Sequence, residues 1–212
     1  MFTSLYFNYF HYYSTVTQYA LLNTNDSMIS VINFGSSKTP LIAEMVRACG
    51  AECSLLKWDQ ANENELKNSS GIIFSGSPTM FTEVDHSSYI EKYSFIKEGK
   101  IPTLGICFGH QLMGILHGAQ IFRAEEIRVW NEIHCVKEDP LFAGLIPECK
   151  MKEDHTEGIS LPPGFIHLAR SSSYINEGMR HPYLPLWGVQ FHPEVSEENG
   201  KKLIGNFLGE CK

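Results

Sequence analysis

The sequence has no run of basic residues, no CxxC pair, no internal repeat and no apolar stretch long enough to span a bilayer. With a formal net charge of −7 at pH 7, the first absence argues against a nucleic-acid surface. The missing apolar run removes a membrane-spanning role. The six cysteines, at 49, 53, 107, 135, 149 and 211, are scattered, so reduced thiols in a cytoplasmic protein are expected rather than a disulfide scaffold. Cys107 shares no CxxC or HxxxH spacing with any other residue, so no metal or other cofactor is expected.

Charge is missing locally too. Before Asp26 there is no Lys, Arg, Asp or Glu, and Phe, Tyr, Asn and Thr crowd that stretch. A secretory signal needs a basic start, a continuous apolar block and a small-residue cleavage site, and these are absent. Residues 1–27 are therefore expected to be an extension outside the fold, with Met28 an alternative start of the chain. The competing reading is an aromatic segment for a partner or a membrane surface.

From Met28 onward strand and helix signals alternate. Residues 29–32, 51–58, 71–74 and 102–106 read as strands, and 39–49, 62–67, 89–98 and 108–117 as helices. Thr39 and Ser196 are expected helix caps. The second half reads as strands at 120–123 and 127–136, a polar loop at 151–160, strands at 165–169 and 184–191, and a last helix with the stripe Leu203, Ile204, Phe207, Leu208. Strands separated by such helices predict one α/β domain over 28–212. Its architecture is an open, mainly parallel sheet flanked by helices, with a small antiparallel addition.

Cys107 sits between the buried strand at 102–106 and the following helix. There its side chain projects at the carboxyl edge of the sheet, where open α/β sheets place their active sites. The unpaired N–H groups and dipole of a helix N-terminus favour a thiolate. Gly105 and Gly109 permit a tight turn. A free thiol has a pKa near about 8.5, so a base is needed. His192 ends the strand Trp187-Gly188-Val189-Gln190-Phe191, Pro193 stops that strand, and Glu194 is placed to orient the imidazole. The loop Ser75-Gly76-Ser77-Pro78-Thr79 can offer backbone N–H groups that, with that of Phe108, form an oxyanion hole. His155, near Glu157, is a second candidate base, ranked as a substrate-loop residue. Any one of these features alone is commoner as ordinary core, turn or surface. Their fall at the ends of successive strands points to one site.

Two segments, 105–111 (Gly-Ile-Cys-Phe-Gly-His-Gln) and 188–194 (Gly-Val-Gln-Phe-His-Pro-Glu), resemble the class I, triad-type glutamine amidotransferases, with a flavodoxin-like fold. Residues 32–36 and 58–59 are most similar to the amidotransferase part of GMP synthetase. The resemblance implies that Cys107 attacks the glutamine side-chain amide through a γ-glutamyl thioester. His192 moves the proton, Glu194 orients it, the N–H groups of Ser77 and Phe108 hold the oxyanion, and Gln111 and Gly76 contact the substrate. Ser77 stands where the family loop has a second Gly, which brings a Cβ towards the thioester. Residues 154–157 (Asp-His-Thr-Glu) replace a Ser-His-Gly-Asp segment tied to signalling with the synthetase part. No ATP-using synthetase domain follows, so a separate synthetase subunit is the expected partner. A γ-glutamyl peptidase of the same fold and a non-catalytic binding module are the rival readings.

Overall fold

The structure is a computed structural model that describes residues 28–211, so the expectation for residues 1–27 lies outside the described residues. In chain order β1 (Met28–Asn33), α1 (Thr39–Ala48), β2 (Glu52–Lys57), α2 (Glu63–Leu66), β3 (Gly71–Phe74), α3 (Ser87–Tyr93), β4 (Thr103–Ile106) and α4 (Phe108–Leu116) form the alternating half. β5 (Ile121–Ile127), β6 (Trp130–Cys135), β7 (Glu148–Lys152), β8 (His155–Ile159), β9 (Ile166–Arg170), β10 (Gly178–Arg180), β11 (Leu186–Val189) and α5 (Glu197–Glu210) follow. Among the described residues, nine strands make one sheet in the order β2-β1-β3-β4-β11-β10-β9-β6-β7, and β5 pairs with β8 apart from it. From β2 to β11 the pairing is parallel, and beyond β11 it is antiparallel.

The central strands β3, β4 and β11 are buried along their whole length, as parallel strands covered on both faces must be. Side-chain alternation assigns each residue a face. Ile29, Val31, Leu104 and Ile106 pack with Ile42 and Val46 of α1 and with Leu203, Ile204 and Phe207 of α5. Ile32, Ile72 and Phe74 pack with Tyr93 of α3 and with Leu112, Met113 and Leu116 of α4. Each fully buried side chain of this size contributes about 1.5–3 kcal/mol. Two glycines set how closely α4 approaches the sheet. A Cβ on Gly105 would lie 2.5 Å from the Gly109 carbonyl, and one on Gly109 would lie 2.5 Å from the Phe74 carbonyl oxygen.

Several local expectations are corrected. Residues 151–160 are not a polar loop but the end of β7, a short turn and β8. Their polar groups find partners inside the fold, so polarity there does not mark solvent. Thr39 lies inside α1, its hydroxyl bonded to Asn33 Oδ1 and the Ser36 carbonyl, and Lys38 holds the cap position. Ser196 precedes α5 without capping it, because its hydroxyl donates to the His192 carbonyl and accepts from the Lys152 N–H. The helix expected at 89–98 is α3 followed by a 3₁₀ turn, closed by Gly99 at φ 59°. Among the described residues no helix is long and apolar enough to cross a membrane.

Candidate active site

The carboxyl ends of β3, β4 and β11 are neighbours, and each delivers one part of the site. Cys107 follows β4 with φ 51° and ψ −105°, a backbone conformation that L-residues adopt only under strain. Its N–H is tied to the Val189 carbonyl at 2.9 Å, and α4 begins at the next residue. The N–H of Phe108 is therefore at the first helical position, where no intrahelical acceptor exists.

His192 lies beyond β11, and its backbone is fixed on both sides. Its N–H donates to the Lys152 carbonyl at 2.8 Å, and its own carbonyl accepts from the Ser196 hydroxyl at 2.6 Å. Pro193 opens a 3₁₀ turn that places Glu194 Oε1 2.7 Å from His192 Nδ1. Both side chains are almost wholly buried. Burial alone would push the imidazole pKa down. The Cys107 sulfur and the Glu194 carboxylate, through charge and hydrogen bonding, outweigh that and lift it to about 10. The imidazolium form is thus favoured by the sulfur on one side and a carboxylate on the other.

The loop after β3 is pinned in place. Ser75 accepts from the Gly109 N–H through its carbonyl at 3.1 Å and from the Phe34 N–H through its hydroxyl at 3.0 Å. Gly76 passes so close that an added Cβ would lie 3.2 Å from His192 Cε1 and 3.8 Å from Cys107 Cβ. Ser77 lines the cleft, but its hydroxyl donates back to the Phe34 carbonyl at 2.7 Å and accepts from the Thr79 N–H. The hydroxyl at the position where the resemblance calls for glycine is thus committed to the Phe34 carbonyl and the Thr79 N–H. The cleft of about 440 Å³ is lined by Cys107, His192, Ser77, Phe108 and Gln111.

Gln111 is buried, and its amide donates to the Glu157 carbonyl at 3.0 Å and to Gln190 Oε1 at 3.1 Å. His155 lines the cleft but is held by Glu153 and by the Glu157 carbonyl. It is part of a buried strand, not of a loose substrate loop. The Glu157 carboxylate accepts from the N–H groups of Phe81 and Thr82 and from the Thr82 hydroxyl.

Sequence reasoning missed four participants. Gln190 donates its amide to the Cys107 sulfur at 3.5 Å. Strand alternation could have found it, since Gln190 and His192 are two residues apart. The Asp154 carbonyl is 3.3 Å from His192 Nε2 and 3.9 Å from Cys107 Sγ. A main-chain acceptor leaves no signal in sequence. Lys38 and Arg128 form ion pairs with the Asp154 carboxylate at the cleft mouth. Cys49 and Cys53 are raised above the ordinary thiol range by burial, and Cys135 is pushed to about 11, Cys149 and Cys211 to about 12. None of these five is a ready nucleophile.

Comparison with known proteins gives concordant findings. The sequence profile of the family described as glutamine amidotransferase class-I matches residues 30–211. The chain is 36% identical over 188 residues to a subunit of glutamine-hydrolysing GMP synthase from Pyrococcus abyssi, covering 87% of this chain and 98% of that one. A protein of the same description from Thermococcus kodakarensis is 35% identical with the same coverage. A crystal structure of a protein described as a GMP synthase subunit from Thermoplasma acidophilum superposes with a TM-score of 0.80 at 26% identity, covering 87% of this chain and 94% of that one.

Proposed function

The chain belongs to the class-I glutamine amidotransferases, and we propose that Cys107, His192 and Glu194 carry out its hydrolysis of glutamine to glutamate and ammonia. One observation carries this assignment. The strained Cys107 and the His192–Glu194 pair stand at the ends of the adjacent strands β4 and β11, with Glu194 Oε1 2.7 Å from the imidazole Nδ1.

In this reading the Cys107 thiolate attacks the side-chain carbonyl carbon of glutamine. The carbonyl oxygen gains the negative charge and is held by the N–H groups of Phe108 and Ser77. His192 gives its proton to the departing nitrogen, which leaves as ammonia, and a γ-glutamyl thioester remains on Cys107. His192, now neutral, takes a proton from water as the water attacks the thioester. Collapse expels the thiolate and releases glutamate. Glu194 holds the ring and balances its charge. Gln111 and Gly76 shape the wall against the substrate, with Gln111 acting through the Glu157 and Gln190 groups that it braces.

We further infer that the ammonia passes to a separate ATP-using synthetase chain for purine nucleotide synthesis. The support is that relatives matched over 98% of their length are described as one subunit of GMP synthase. The test measures glutamate release by the purified chain, then glutamine-dependent GMP formation after adding a GMP synthetase subunit. Wild type should release glutamate and Cys107→Ala should not. Turnover by Cys107→Ala would sink the nucleophile assignment. Faster hydrolysis of γ-glutamyl peptides than of glutamine, with no GMP formed, would point to the peptidase reading.

A further inference from the structure

Beside the cleft, three ionisable side chains meet out of reach of solvent. Glu153 and Glu177 are 0% exposed and His155 is 5% exposed. Glu153 lies in the turn between β7 and β8, His155 opens β8, and Glu177 immediately precedes β10. One ligand-type atom from each residue falls within 4.8 Å of the other two.

Hydrogen bonding satisfies only part of this group. His155 Nδ1 is 3.0 Å from the Glu157 carbonyl, which can only accept, so Nδ1 carries a proton. In the neutral ring Nε2 is then a lone pair, and it faces Glu153 Oε2 at 2.8 Å, another lone pair. The second oxygen of Glu153 is oriented by the Asn131 side-chain amide at 2.6 Å. Neither carboxylate oxygen of Glu177 has a hydrogen-bond partner within 3.5 Å, and burial together with the neighbouring Glu153 charge raises its carboxyl well above the usual carboxylate range. The nearby Ser171 hydroxyl is occupied by the backbone of Ser173 and Tyr174. Buried charges of one sign are costly unless paired or bound to a cation. A single divalent cation meets all three donors and cancels both carboxylate charges.

We propose that Glu153, His155 and Glu177 bind one divalent transition-metal ion of the zinc, manganese or iron class. One imidazole nitrogen with two carboxylates suits those ions, whereas calcium takes six or more oxygens. His155 has the arrangement usual for a ligating histidine, its other N–H given to a backbone carbonyl that fixes tautomer and ring orientation. The ion ties the turn that carries Asp154 to the start of β10. Since the Asp154 carbonyl touches both His192 and Cys107, it acts by position and not on the reacting atoms.

The full chain, stripped with a chelator, is titrated with Co²⁺ and then with Zn²⁺ and Mn²⁺, following visible absorption, metal content after desalting, and melting temperature. We expect one ion per chain, a d–d absorption band with Co²⁺, and a rise in melting temperature. Glu177→Gln should weaken binding by more than the ~10–100-fold typical of losing an outer-shell partner. His134→Ala, in the exposed group Glu132–His134–Glu148, should leave binding unchanged. The proposal is overturned if wild type binds none of the three ions stoichiometrically. It is equally overturned if Glu177→Gln binds as wild type does while His134→Ala does not. Should Glu177→Gln fail to fold, the wild-type and His134→Ala titrations still decide the matter.

Discussion

The Asp154 carbonyl oxygen lies 3.3 Å from His192 Nε2, the ring nitrogen opposite the one held by Glu194. The same oxygen is 3.9 Å from the Cys107 sulfur. In the proposed mechanism it therefore competes for the proton that His192 gives to the leaving nitrogen. Its residue is anchored at the cleft mouth by the ion pairs of its side chain with Lys38 and Arg128.

Releasing that anchor is predicted to speed the chemistry. The Lys38–Asp154 pair is partly exposed, so it is worth at most about 1 kcal/mol, or about a fivefold effect. Lys38→Ala should raise kcat for glutamine hydrolysis by up to that factor, read in steady-state assays at low salt. A fall in kcat would show that the carbonyl does not obstruct the proton.

The pH profile follows from the His192 imidazolium. Its pKa of about 10 keeps the proton in place at neutral pH and loses it as pH rises through that value. Activity should therefore have an alkaline limb near pH 10. Glu194→Gln removes one of the two groups that raise the pKa, so the limb should move to lower pH, with a smaller loss of kcat than in His192→Ala. A limb that stays put in Glu194→Gln would mean that the carboxylate does not support the proton.

Strain at Cys107 predicts a difference between two inactive variants. Both Cys107→Ala and Cys107→Gly lose the thiol, but only glycine relaxes the positive φ. Glycine should melt higher than alanine by about 2–4 °C, which corresponds to about 1 kcal/mol in a chain of this size. Equal melting temperatures in calorimetry would show that the turn stores no strain.

Gly76→Ala should slow turnover with little change in melting temperature. The added Cβ would meet His192 Cε1 at 3.2 Å, so the ring or the loop must shift by a few tenths of an ångström. Displacing catalytic groups by ~1 Å can cost about 10²-fold, so this smaller shift is expected to cost about tenfold in kcat. Wild-type kcat in Gly76→Ala would place the loop farther from the chemistry than the geometry does.

The parts of the site that lie on strand ends were legible in the sequence. A short apolar run ending in Cys107 and another ending in His192-Pro193-Glu194 identify buried strands and the side chains at their tips. The Asp154 turn was not legible. Residues 151–160 are rich in charged and polar side chains, and only the fold reveals that Glu153, His155 and Glu157 are buried and bonded to Asn131, the Glu157 carbonyl and the Phe81–Thr82 backbone. The strand β10 is three residues long, too short for any periodicity to register. Ser196 carries the composition of a helix cap, yet tertiary contacts with Lys152 and His192 claim its hydroxyl.

The central claim is that Cys107 forms a thioester with the glutamyl group. Wild-type protein mixed with glutamine, quenched in acid within the first turnovers and digested, should show the glutamyl mass on the peptide bearing Cys107, and Cys107→Ala should show neither adduct nor turnover. Glutamate release without an adduct on that peptide, or undiminished in Cys107→Ala, would contradict the account.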